Sequence, residues 1–435
     1  MPAGQQLIER VPWLVRSVVD PDGSPRRLIW TLGIGAFGLA WSVTTVAAYL
    51  PPVLEDYTTS KTLVGLVLAS EGVFAIILPL IIGPLSDATR TPLGRRRPYM
   101  SFAIGPMAIA LAMLAFMPSL WAAAFVFFAF CFAYYIYEPP YRGLYPDMLP
   151  DTLFGRAQGA QHVMRGAALG GALILGGILL HVWEPFPFVL AAVITLVSCG
   201  LVVVLVREGN LRARTHAHLR TYLASPYRII LRDKHIRRFL IANTAWEATF
   251  AGMRTFVVLY ITQGLGQPLW VSSAVLAAVA VGYLIAALVS GRLADEFGLG
   301  RVILGASLVY GLGMLGATFA TRWHDWYYPL VLFVSIGGGA VMTLAWGLLF
   351  KLMPVSGRGS SAGLAVMTKG VGLLVGPLVV GAAIDIAGSF LESTKGYAAM
   401  WLMVALPVLL VLPLVGLLSR EERARASGTA SAPAV

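Results

Sequence analysis

The sequence predicts an all-α, polytopic membrane protein of twelve transmembrane helices, built as two six-helix pseudo-repeats. Three observations carry this. Of 435 residues, 58% are hydrophobic and only 12% charged, against about 25% charged in a soluble domain. Twelve segments each supply the run of about 20 mainly apolar residues that a spanning helix needs. Finally, paired strings recur at an offset of 204 residues. Gly143-Leu144 matches Gly347-Leu348, Pro150 matches Pro354, and Arg165-Gly166 matches Lys369-Gly370. Gly155-Arg156 matches Gly357-Arg358 once two residues are deleted.

In order, the spans are expected at 28–53, 62–86, 98–117, 119–147, 158–182 and 185–206, then 238–264, 270–292, 301–320, 327–352, 361–386 and 396–419. The first six form an N-terminal bundle over 28–206 and the last six a C-terminal bundle over 238–419. Residues 1–27 and 420–435 are read as cytoplasmic ends, and 207–237 as a basic cytoplasmic linker. The opening residues lack the apolar core of a cleavable signal, so the first span is expected to direct insertion. Most of the 32 lysines and arginines fall on one face, while the other holds three, Lys61, Arg322 and Lys395. By the positive-inside rule the basic face is cytoplasmic and both termini lie there. The net charge of +11 thus reports topology and an affinity for anionic headgroups; a nucleic-acid partner is not expected. Cys131 and Cys199 lie in apolar spans and form no disulfide framework.

Six ionisable residues sit deep in spans: Glu71, Glu138, Arg165, Glu247, Arg254 and Lys369. A charge at mid-bilayer costs about 2.5–3.5 kcal/mol, so each needs a partner or a watery cavity. Counted from the cytoplasmic ends at 1.5 Å per residue, Glu138, Arg165, Glu247 and Lys369 lie roughly 12–14 Å deep. Four charges from four helices at one level mark a site. Glu247 and Arg254, seven apart, share a face of span 7. Pro139-Pro140 are expected to kink or unwind span 4 beside Glu138, and Arg142 is within pairing reach if the helix persists. Glu71, nearer the outer face, can equally be a solvated carboxylate. His162, three residues before Arg165, is read either as a proton group or as a polar packing residue.

The glycine strings Gly33–Gly38 and Gly311–Gly316 match dinucleotide-binding spacing, but neither follows a strand, so they read as helix-packing glycines. The GSSAG string around Ser361 lacks the strand-turn-helix setting of a hydrolase nucleophile. No enzyme activity is expected, nor any metal or organic cofactor.

The stretch Gly83–Met100, GPLSDATRTPLGRRRPYM, resembles the turn between helices 2 and 3 of major-facilitator transporters, with a weaker copy at Gly291–Arg301. That resemblance implies the major facilitator fold and a cytoplasmic gate of Gly83, Asp87, Arg95, Arg96 and Arg97, with Asp295 in the second half. SDATRTPLGRRRPY and EPPYRGLYPDM, with Arg156 and Arg165, further resemble the glycoside–pentoside–hexuronide:cation symporter family. The likeness covers spans 1–5 and, less fully, span 11. The GRRRPY ending, the arginine of PYRGL and the first span FGLAWSVTTVAAYLPP are closest to its sucrose–proton branch.

By position, Glu138 falls on an aspartate of the cation and sugar region, Arg142 on the arginine of a PxRAL motif, and Arg165 and Lys369 on basic residues near the sugar. The two acids that bind sodium in melibiose permeases fall at Ala75 and Pro79, which cannot ligate a hard cation, so proton coupling is implied. Two further acids of the family fall at Ala40 and Cys131. The reading implied is a monomeric proton–glycoside symporter of the bacterial inner membrane, for a disaccharide such as sucrose or maltose. Glu138, Glu247 and Glu71 are its candidate proton carriers. Arg142, Arg165, Lys369, Arg254, His162, Trp41 and Trp246 are its candidate substrate contacts. The alternative is a proton-coupled exporter or antiporter of a non-sugar small molecule.

Overall fold

The computed structural model describes residues 25–149, 154–206, 208, 234–352 and 358–426. Most of the expected N-terminal segment, most of the 207–237 linker and the end of the tail lie outside the described residues, as do the side chains of Asp87 and His162. Helices dominate, and the one β contact among the described residues is an isolated bridge from Thr91 to Gly94.

The helices are α1 (Pro25–Glu55), α2 (Lys61–Ala88), α3 (Arg97–Leu114), α4 (Leu120–Met148), α5 (Phe154–Val182), α6 (Phe186–Leu205), α7 (Lys234–Leu259), α8 (Leu269–Phe297), α9 (Leu299–Ala317), α10 (Tyr327–Leu352), α11 (Arg358–Ala387), α12 (Ala399–Leu410) and α13 (Leu412–Ala426). α7 ends in a π turn, Tyr260–Gly264, and α12 with α13 makes up the twelfth expected span. Among the described residues, eleven helical stretches are long and apolar enough to cross a membrane. α7 falls short because Asn243, Thr244, Glu247, Thr249 and Arg254 dilute it. Its polar groups are used against other helices: Asn243 Nδ2 donates to Thr368 Oγ1 at 2.8 Å and Thr249 Oγ1 to the Val404 carbonyl at 2.8 Å. α4 stays helical through Pro139-Pro140, so the expected unwinding does not occur. The prolines remove two N–H donors, but their fixed φ is itself helical.

The chain packs as two compact units, Met1–Val46 with Ile77–Leu219 and Ala47–Ile76 with Arg220–Val435. In the first unit, α3 packs on α4 and α6, and α5 on α6. The GIGAFG string is a packing surface: a Cβ at Gly35 would meet the Tyr141 ring at 2.7 Å and Val202 at 2.8 Å, and Gly38 lies against Ser198. In the second unit, α11 packs on α7 and α8 on α10. Large apolar side chains such as Phe102, Trp121, Phe125, Leu288 and Leu410 remain exposed. On a soluble protein such surfaces would be unusual; on helices of this length they suit lipid.

Candidate functional site

On the basic face, the turn into α3 is fixed by two carboxylates. The Glu208 carboxylate accepts the backbone N–H of Arg95 at 2.7 Å, Arg96 at 2.9 Å and Arg97 at 2.8 Å. Arg95 and Arg96 lead into α3 and Arg97 opens it, so none of the three N–H groups has an intrahelical acceptor, and Arg96 at the N-cap makes no side-chain cap of its own. Asp147, at the end of α4, accepts Arg95 Nη2 at 2.5 Å and Arg96 Nε at 2.6 Å. Both arginines are buried, and Arg96 lies against Gly143, where a Cβ would collide with its guanidinium. Arg97 Nε donates to the Val203 carbonyl at 2.8 Å. A Cβ at Gly83 would meet nothing within 4 Å, so no neighbour requires a glycine there.

The second unit repeats the device. The Glu422 carboxylate accepts the N–H of Gly300 at 2.7 Å and of Leu299 at 3.3 Å at the start of α9. Glu421 beside it binds Arg238 and His235 at the start of α7. Asp295 is exposed near the end of α8.

Within the first unit, Glu138 is buried and paired with Arg142 one turn on, the contact that the four-residue spacing allows. The Arg142 side chain is nevertheless 46% exposed. An exposed guanidinium at this depth is tolerable in a bilayer only where water reaches it. Arg165 on α5 has Glu138, Arg142, Tyr134 and Tyr141 as electrostatic neighbours. Its Nε is buried with no hydrogen-bond partner among the described residues. Tyr141 and Tyr145 hydroxyls lie 2.9 Å apart, and Tyr141 donates to the Leu32 carbonyl at 2.5 Å.

Within the second unit, Glu247 on α7 faces α11. A Cβ at Gly372 would meet the Glu247 Cβ at 2.6 Å, so glycine lets the two helices touch there. Lys369 and Arg254 are the charges nearest Glu247. Arg254 makes its ion pair with Glu71, at 2.5 Å, rather than with Glu247 seven residues away on its own helix. Glu71 is therefore a paired carboxylate.

The two tryptophans are core residues in this conformation. Trp41 is 5% exposed and packs with Phe37, Ala168, Ala172 and Ala191, against Gly171. Trp246 is 1% exposed, edge-on to Phe239. Neither ring face is open to a substrate here.

A model of the Major Facilitator Superfamily matches residues 32–377 and, in a second overlapping match, 255–434. The chain belongs to the Major Facilitator Superfamily. As a member of it, the chain is a transporter rather than an enzyme, and its substrate is a small molecule. A mouse relative, "Membrane-associated transporter protein", is 33% identical over 96 residues, 22% of this chain and 18% of that protein. The aligned part is thus well under two thirds of the relative's length.

Solved structures share the fold. The nucleoside transporter NupG superposes with a TM-score of 0.70 at 17% identity, covering 90% of this chain and 98% of that one. A bacterial homolog of the human lysosomal transporter Spinster, inward-facing and unoccupied, gives 0.73 at 13% identity over 95% and 100%. A bacterial homologue of the iron transporter ferroportin, inward-facing, gives 0.64 at 15% identity over 91% and 100%.

The superfamily fold brings in three residues that sequence reasoning did not assign: Asp147, Glu208 and Glu422. Each is a carboxylate near the end of a span, and each acts on a helix start far away in the chain. Asp147 stood inside the quoted EPPYRGLYPDM string. The other two share only an Arg-Glu pair just past spans 6 and 12, too common a pairing to stand out.

Proposed function

We propose that this superfamily member is a proton-coupled symporter of a glycoside, a disaccharide such as sucrose or maltose, working by alternating access. The observation that carries the reading is the buried Glu138–Arg142 pair beside the unsatisfied Nε–H of Arg165. Protonating Glu138 removes the charge that holds Arg142 and leaves its donors for sugar hydroxyls, so proton and sugar bind together. Arg165 supplies a further donor, with Lys369 and Glu247 as the charged pair of the second half. The sequence motifs of the sucrose–proton branch support this substrate class, and Ala75 and Pro79 argue against sodium. The basic face is taken as cytoplasmic, in a bacterial inner membrane with anionic headgroups on that side, one transport pathway per monomer.

The test is uptake of radiolabelled disaccharides into proteoliposomes under an inward proton gradient, beside Glu138→Gln. Gradient-dependent accumulation that the variant loses supports the symporter. Absence of uptake for every sugar, with folded protein, sinks the glycoside reading and favours export of a non-sugar compound. Uptake that survives in Glu138→Gln moves the proton to Glu247 or Glu71.

A further inference from the structure

The repeat in the sequence places α1 and α2 with the first six helices, yet residues Ala47–Ile76 pack with the second unit. This segment joins α1 to α2 on the cation-poor face, and its fastenings are of two kinds. At the water end, Asp385 of α11 caps α2. Its carboxylate accepts the backbone N–H of Lys61 and of Thr62, each at 2.8 Å, the Thr62 hydroxyl at 2.6 Å and the Ser60 hydroxyl at 2.9 Å. Two N–H groups of the helix start thus find their acceptor more than 300 residues away, while the Ser60 hydroxyl accepts the Leu63 N–H locally at 3.3 Å. Beside it, Glu55 binds Lys61 at 2.5 Å and accepts the Tyr397 hydroxyl, while the Lys61 ammonium lies 5.3 Å above the Tyr397 ring. About 15 Å further along α2, taking 1.5 Å per residue, Glu71 pairs with Arg254 of α7.

Along this stretch of α2 the contact is largely backbone on backbone. Gly65 lies against the Pro377 carbonyl, Gly72 against Gly370 and Leu374, and Gly381 against the Lys61 carbonyl. One side chain keys in at the inner end, Ile76 of α2, which lies on Gly370 of α11. Such a glycine-lined surface parts with little repacking beyond Ile76 once its polar ends let go. The outer tier exchanges its bonds for water at little loss, because Asp385 is exposed. The inner pair cannot be left uncompensated in a dry environment. It separates only when water enters.

We propose that Asp385 with Ser60, Lys61 and Thr62, and Glu71 with Arg254, form a two-tier lock that holds the cation-poor side closed and opens once in each transport cycle. The inference rests on the alternating-access reading, and it gives Glu71 a gating role. Its test is Ser60→Cys/Asp385→Cys, made in the otherwise native chain, because Cys131 and Cys199 are both buried. With oxidised glutathione added as the disulfide reagent and reduced glutathione released, the two cysteines are expected to join in the folded protein and to cut transport at least tenfold below the same variant kept reduced, with recovery on adding dithiothreitol. A crosslinked protein that transports at the uncrosslinked rate overturns the lock, and so does failure of the pair to crosslink in folded protein.

A second arm needs no substrate. Spin labels at Thr59 and Ser389 report the separation of the α1–α2 and α11–α12 loops in nanodiscs. Asp385→Asn combined with Glu71→Gln is expected to add a longer-distance population, and an unchanged distribution overturns the proposal. If every sugar fails in uptake, this arm still decides the lock, so its failure and that of the glycoside reading stay distinct.

Discussion

Glu208→Ala should loosen the first unit by removing the cap on α3. Three backbone N–H groups share its carboxylate, at 2.7–2.9 Å, and no side chain at the N-cap can substitute. Losing an ordinary N-cap costs about 1 kcal/mol, and losing a charge at a helix N-terminus about 0.3–1 kcal/mol. Hydrogen bonds to a charged group run about 1.5–3 kcal/mol each, but three bonds to one carboxylate do not add, and this one is only part-buried. A total of about 2–3 kcal/mol follows.

With about 2–4 °C per kcal/mol for units of this size, melting should fall by about 5–10 °C. The chain supplies its own reporter, because both cysteines, Cys131 on α4 and Cys199 on α6, are buried in this unit. A thiol-reactive fluorogenic dye in detergent therefore reads its opening directly. Glu208→Gln keeps acceptors but loses charge, and should fall between wild type and Ala. If Glu208→Ala melts like the exposed control Glu184→Ala, the cap does not hold α3 and the argument fails.

Other consequences can be measured with the same preparations. Glu138→Gln should abolish gradient-driven accumulation yet leave exchange of internal for external substrate, because only the proton step is lost; loss of both would make Glu138 a binding residue alone. Arg142→Lys should lower transport by at least tenfold although the charge is retained, because an ammonium lacks the planar donor array of a guanidinium; wild-type uptake would contradict this. Gly372→Ala should prevent α11 from seating on α7, with its Cβ 2.6 Å from that of Glu247; overpacking of this kind costs about 1–3 kcal/mol, read as a lower melting temperature. Asp147→Asn should destabilise the first unit by removing the carboxylate charge that binds the Arg95 and Arg96 guanidinium groups; an unchanged melting curve would place the stabilisation elsewhere.

The spans were legible because lipid imposes a length and an apolar composition on every helix. The expected span 185–206 is observed as Phe186–Leu205, and 327–352 as Tyr327–Leu352. Span 7 was read as an apolar run like the others, but it is the most polar of them, since Asn243, Glu247 and Arg254 face α11 and α2. The Glu138–Arg142 pair was readable because it is local, one helical turn. The Glu71–Arg254 pair was not, because its partners lie 183 residues apart and helical spacing offered Glu247 as a nearer candidate. The burial of Trp41 and Trp246 was not legible for a different reason. An indole suits a sugar ring and a helix interface equally well, and only the small residues facing it, Gly171 and Ala168 for Trp41, decide between them.

The two capping carboxylates show what the internal repeat preserves. Gly300 follows Arg96 by 204 residues, the offset of the other paired strings, so the helix starts that receive the caps are in register. Glu422 follows Glu208 by 214, so the accepting carboxylates are not. The second carboxylate reaches its target from ten residues further along, because the twelfth span continues as the helix α13 to Ala426 whereas α6 stops at Leu205. What recurs is the physical requirement. A helix that begins at a basic turn has unpaired N–H groups and a positive dipole end, and an acid from the last span of its own half meets both. Selection on that requirement constrains the meeting point and leaves the sequence position open. A comparison of the halves residue by residue therefore finds the N–H donor at Gly300 and misses the acid, while a comparison of helix ends finds both.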